Sequence, residues 1–143
     1  DPLTLSRKLQ VTSRELRRMF LEITFGSRQR PDAIWLGLTS RAYSMAPTLD
    51  SLLDAELSAG GYRRAMLAPG TWQIQGDPIM ASNSRGNFIN LSSERWPDIL
   101  GWFLVAESSE NGPTLIGWAN LSEPQILLSN DTLELPVSFG FDG

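Results

Sequence analysis

The residues of this chain that could move a proton at neutral pH are carboxylates and nothing else. Histidine and cysteine are both absent from its 143 residues. That removes the usual general base at neutral pH and the commonest metal ligand. Ser-His-Asp and Cys-His nucleophile pairs cannot be assembled within the chain, and neither can a zinc site of the Cys/His type. Paired carboxylates could still perform acid–base work on a sugar. The pairs available are Glu107 with Glu110, or Asp98 with a carboxylate elsewhere. Glu107 and Glu110 fall in a polar stretch where charges are ordinarily solvated. Asp77 and Asp131 stand in turn contexts, where Asp bonds its own backbone. No calcium-loop spacing and no glycine-rich phosphate loop is present. The chain therefore reads as a non-enzyme with no cofactor and no metal.

Two other residue types could support binding. Five tryptophans could form a platform for a sugar or a peptide. Trp35, Trp102 and Trp118 lie inside apolar runs and are expected in the core, whereas Trp72 and Trp96 lie near strand ends. Charge is also unevenly spread. Residues 1–30 carry Arg7, Lys8, Arg14, Arg17, Arg18, Arg28 and Arg30 against three carboxylates, a net +4. Residues 31–143 carry five Arg against thirteen carboxylates, a net −8, and the two parts sum to the chain's −4. Eleven of the twelve basic residues are Arg, whose planar fork suits fixed pairing with carboxylates. The seven basic residues named above are the candidate partner-binding set. They could dock on an acidic neighbour, pack on the chain's own body, or stay solvated. Nucleic-acid binding needs basic residues beside exposed aromatics, and here the aromatic-rich part is acidic. No nucleic acid is expected as a partner. The triplets at Asn90 and Asn120 fit the glycosylation pattern, but both overlap strands and read as chance.

The elements that must hold these residues are organised around residues 96–121. Two apolar runs, 100–106 and 114–121, flank a polar, turn-forming stretch at 107–113. Asn111-Gly112 is a strong turn signal, because both residues tolerate positive φ. The length of the stretch predicts a wide hairpin. Leu100, Trp102, Leu104 and Ala106 alternate with Gly101, Phe103 and Val105, so neither face is polar. Such a strand is buried on both sides, as in the middle of a sandwich.

Upstream, residues 1–11 show no period and are expected to be an extended arm. Thr12 and Glu15 form a capping box, with Val11 and Leu16 as a hydrophobic staple. Leu16, Met19, Phe20 and Ile23 then make one apolar stripe of a helix that stops at Gly26. That helix either covers one end of the sandwich or enters a groove on a partner. Strands are expected at 33–38, 62–67, 72–75, 79–82, 87–91, 125–128, 132–135 and 137–141. Leu49, Leu52, Leu53 and Leu57 fall at helical spacing and suggest a turn of helix within the connection at 39–61. Many short strands, turn residues between them and one N-terminal helix predict an all-β fold, an antiparallel sandwich or jelly roll, with residues 12–143 as one domain. The length is enough to bury a real core. No apolar run reaches the ~20 residues that cross a bilayer, so no membrane partner is expected.

Several pieces in one order give the chain a likeness to a known family. They are a helix ending in Gly26, IWLGL at 34–38, ELSAGGYRR at 56–64, ASNS at 81–84, Trp96 ahead of the central hairpin, and SNDTLELP at 129–136 before a β tail. Across about residues 12–141 this resembles a family of small phage virion proteins described as tail-fibre or structural proteins. The chain departs from that pattern at IWLGL, where members tend to have a further His- or Thr-rich segment, and in its more basic N-terminal stretch. The resemblance implies a β-sandwich virion component without catalytic residues. It leaves open where in the particle the protein sits. A capsid cement or decoration protein is the first reading, which the basic segment of residues 1–30 fits; it would bind the major capsid protein or other virion proteins, as a dimer or trimer, in a particle assembled in the host cytoplasm. A tail-fibre or tail-adaptor protein is the alternative. A carbohydrate-binding module is a third reading, and it requires Trp72 or Trp96 exposed beside a carboxylate.

Overall fold

The computed structural model describes residues 3–4, 7–9, 14–77 and 79–139. The fold is mainly β. Helix α1 (Arg14–Phe25) leads into strand β3 (Ala33–Thr39), and a second helix α2 (Leu49–Ala55) follows. Strands β4 (Ala65–Met66), β5 (Gln73–Gln75), β6 (Met80–Asn83) and β7 (Asn87–Ile89) come next. The long hairpin β8 (Ile99–Ser108) and β9 (Gly112–Gln125), then β10 (Thr132–Glu134) and β11 (Val137–Phe139), complete the chain. Two short strands precede α1, β1 (Leu3–Thr4) and β2 (Arg7–Leu9). Thr12 and Val11, the expected cap and staple, lie outside the described residues, as does the expected end of the last strand at Phe141.

One layer is the sheet β4-β3-β8-β9, antiparallel throughout. The other is built from two short sheets, β1-β10-β7 and β2-β11-β6-β5, laid end to end. Between β10 and β11 the chain bends at Leu135-Pro136. Leu135 still donates its amide to the Gly86 carbonyl at 2.7 Å, whereas Pro136 has no amide to give. Both short sheets thus share one interrupted final strand.

The main core lies between the layers. Leu36, Leu38, Trp102, Leu104 and Ala106 from one layer meet Phe88, Leu133, Leu135 and Val137 from the other. On α1, Leu16 and Met19 join this core and Ile23 packs against it. The expected stripe is narrower in fact, because Phe20 is half exposed. The outer side of the helix is also apolar, with Leu21 54% and Phe25 81% exposed.

The opposite face of β8 has its own cover. Phe103, Val105 and Leu115 pack with Leu52 of α2, flanked by Tyr43, Leu49 and Trp118. The helix suggested by leucine spacing is therefore real and has a purpose: it closes the second face of the central strand. Thr48 caps it, accepting the Ser51 amide at 3.2 Å.

The hairpin is tighter than its sequence predicts. Glu107 pairs with Pro113 and Ser108 with Gly112, leaving residues 109–111 as the loop. Gly112 takes φ +67°, the left-handed turn that Asn-Gly signalled. The expected strand at 62–67 is likewise shorter, since Tyr62 turns inward rather than joining the ladder.

Gly37 tests how closely β8 is held. A Cβ placed there would lie 2.5 Å from the Phe103 ring, which is fully buried. Gly37→Ala should lower stability by about 1–3 kcal/mol, because Phe103 has no room to withdraw. An unchanged urea midpoint would show instead that the small core beneath α2 is loosely packed.

Candidate functional site

The strongest electrostatic cluster joins the segment after α2 to β3. Arg64 grips Glu56 with both ends of its fork, Nε to Oε2 at 2.7 Å and Nη2 to Oε1 at 2.7 Å. Tyr62 donates its hydroxyl to Glu56 Oε2 at 2.7 Å and accepts the Leu38 amide at 3.0 Å. The Arg64 guanidinium also lies 5.7 Å from the centre of the Phe103 ring, and one of its nitrogens is 3.9 Å from Glu107. Tyr62 stacks on Phe88 and meets Trp96 edge-on. Trp96 in turn donates its indole N–H to the Gly60 carbonyl at 3.0 Å.

Burial, above all, pushes the Tyr62 phenol far above its ordinary value. The Leu38 amide pulls the other way, and the Glu56 carboxylate adds to the rise. Arg64 is also raised, first by its hydrogen bonds to Glu56. Every polar side-chain atom of this Tyr–Glu–Arg set is used within the fold, so the cluster acts as a clasp between β3 and the segment after α2. Local periodicity does not reveal it, because its parts are 26 residues from Leu38 to Arg64 and meet only after β3 and the turn at Gly60-Gly61 have formed. Its signal was nonetheless present in ELSAGGYRR, whose acidic, Tyr and Arg positions are these three residues.

The expected acid–base carboxylates are not brought together as a reactive pair. Glu107 lies at the end of β8 beside Arg64, and Glu110 is exposed at the hairpin tip. Asp98 pairs with Arg95. Asp131 accepts the Leu128 amide at 2.9 Å, the turn role its context suggested, and Asp77 is exposed. Among the described residues no group of His, Cys, Asp and Glu could hold a metal ion.

The tryptophans do not form a platform. Trp96 is 1% exposed, deeper than Trp35 or Trp118, and Trp72 is half-buried with its indole on the Leu67 carbonyl. The exposed Trp that a carbohydrate-binding reading requires is not there. The two glycosylation-like triplets are structural as well. Asn90 is fully buried, donating to Glu94 and Leu127, and Asn120 is bonded twice to the Tyr43 backbone.

Of the seven basic residues, Arg14, Arg17, Arg18 and Arg30 lie on the exposed surface. Arg18 pairs with Glu22 one turn on. Arg28 points inward: it reaches Thr114 of β9 at 3.0 Å and Glu22 at 3.4 Å, tying the end of α1 to the hairpin. An open groove of about 440 Å³ lies along this tie, lined among others by Glu15, Arg18, Glu22, Leu49 and Thr114. Both signs of charge line it, so it favours neither a simple anion nor a simple cation. Arg7 and Lys8 stand in β2, whose backbone pairs with β11.

No protein-family model matches this chain, and no curated protein sequence matches it.

The clasp has a measurable signature. Tyr62→Phe leaves the Leu38 amide without its partner and should cost about 1–3 kcal/mol at neutral pH. The phenol's folded pKa is raised, so its stabilising contribution is complete below the ordinary value of about 10 and is lost as pH rises beyond it. Urea unfolding of both proteins between about pH 7 and pH 11 should show their gap narrowing at the alkaline end. A gap that stays constant would mean that Tyr62 ionises as freely in the fold as out of it.

Proposed function

We propose that this chain is a phage virion structural protein that works by binding alone, as a cement or decoration subunit on the capsid shell. Its partners in this reading are the major capsid protein or neighbouring virion proteins, and its place is the assembled particle. The observation that carries the reading is the construction of the N-terminal end. An arm of short strands joined to the body by backbone pairing leads into a helix whose outer side combines Arg14, Arg17 and Arg18 with exposed Leu21 and Phe25. Basic groups beside exposed apolar area suit an acidic protein surface with an apolar centre. The remainder of the chain is acidic, and its strongest polar cluster is used internally. The likeness to small phage virion proteins supports a virion structural role and leaves the place in the particle open. Many copies on a repeating shell would add avidity, so each contact could be weak.

A tail-fibre or tail-adaptor role is the second reading. It is favoured by the exposed hairpin tip at residues 109–111, which is free to face another protein.

The two readings part on intact particles. A map of the virion should show density for this chain at contacts between capsomers, and tails freed of capsids should lack it. Density confined to tails would overturn the cement reading. Replacing Arg14, Arg17 and Arg18 by Glu should release the protein from capsids at lower salt than the native chain, because surface ion pairs are screened.

A further inference from the structure

The edge of the last strand is where the fold meets its own N-terminus. Leu3 pairs with Leu133 and Thr4 with Glu134, both parallel. Arg7, Lys8 and Leu9 pair with Val137, Ser138 and Phe139, again parallel. The sequence offset is constant across both ladders (133 − 3 = 137 − 7 = 130), so the arm follows one register past the bend at Leu135-Pro136. On the other flank the register does shift by one: β10 pairs with β7 on positions summing to 221, as Leu133 with Phe88, and β11 with β6 on positions summing to 220, as Val137 with Asn83. The final strand is therefore fixed from one side by the body and offers its other side as one continuous seat.

That seat has to be filled. Leu133, Leu135 and Val137 are core residues, so the strand cannot leave the sandwich. Its outer backbone groups would otherwise form an open edge that pairs with any available strand. What fills it is a pair of strands of two and three residues. Backbone pairing of this kind reads register and direction, and a strand from another chain satisfies both equally.

We propose that this edge is an exchange site, which accepts the β1–β2 arm of a second copy of this chain in place of its own. The same pairs form in the exchanged state, so the cost of exchange is small. Residues 1–9 carry Arg7 and Lys8 against Asp1, a net +1, so a neighbour's arm meets the net −8 of residues 31–143 on the same terms as the chain's own arm. Crowding of copies on a repeating surface raises the effective concentration of the neighbour's arm. The inference stands on the ladder and holds whichever particle, or none, the protein belongs to.

The absence of cysteine makes a direct test clean. Thr4→Cys and Glu134→Cys are prepared as separate full-length variants, mixed, and oxidised. Thr4 and Glu134 are register partners, and Glu134 is exposed. Exchange predicts a disulfide-linked pair of about twice 15.9 kDa that contains one chain of each kind, identified by peptide mass. Absence of that mixed pair overturns the proposal. In a second arm of the experiment, a labelled peptide of residues 1–13 is added to the full-length protein, where it competes with the resident arm for the same edge. It should bind at least about tenfold more tightly than a scrambled peptide of the same composition. Equal binding of the two peptides would show that charge alone holds the arm, and would also overturn it.

Discussion

A central strand that can face water on neither side sets the terms for the rest of this molecule. Along β8, Trp102, Leu104 and Ala106 belong to the main core, while Phe103 and Val105 belong to the smaller one. Burying each large apolar side chain is worth roughly 1.5–3 kcal/mol, so exposing either face would remove a large part of a domain's net stability. Two covers are therefore required. The final strand and its neighbours supply one, and α2 supplies the other. The seven-residue α2 would be marginal by itself; Leu52 beneath it, at 1% exposure, is what makes it persist.

Much of this was legible in the sequence because it is local. The apolar alternation of β8 needs no knowledge of its neighbours, and Gly26 marks the end of α1 by its own chemistry. The leucine spacing at 49–57 pointed to α2, though not to what it covers. Other features were hidden because a distant partner creates them. Trp96 stands in a polar stretch and looks like a strand-end residue, yet Tyr62 and the Gly60 carbonyl draw it to the centre of the fold. Phe20 fits the helical stripe by spacing, but the main core is already filled by Leu16 and Met19, and the ring stays half outside. The hairpin loop looked long because Ser108 and Pro113 are turn formers by type; the ladder's register recruits both into strands.

The arm is the extreme case of the same effect. Residues 1–11 have no period of their own, and strands of two and three residues have almost no intrinsic tendency to form. Their extended shape comes from the edge they lie against. The candidate basic residues divide along this line too. Arg28 could be distinguished from its neighbours only by the presence of Thr114 across the groove, a residue 86 positions away.

With its Tyr–Glu–Arg cluster closed on itself, the protein turns two contrasting surfaces outward. The N-terminal end is basic and partly apolar, and the body is acidic and carries the strand edge that the N-terminal end can occupy. One chain thus holds both halves of a complementary contact, on separate parts of its sequence. Exchanged reciprocally, such a contact closes a two-fold pair; passed head to tail, it repeats from copy to copy until a ring closes or a lattice ends it. An underlying shell would supply that limit, because it fixes the spacing of the copies before their arms meet. The basic arm and the apolar side of α1 would then divide the work, the one joining neighbours through backbone pairing and the other holding each copy to the surface below.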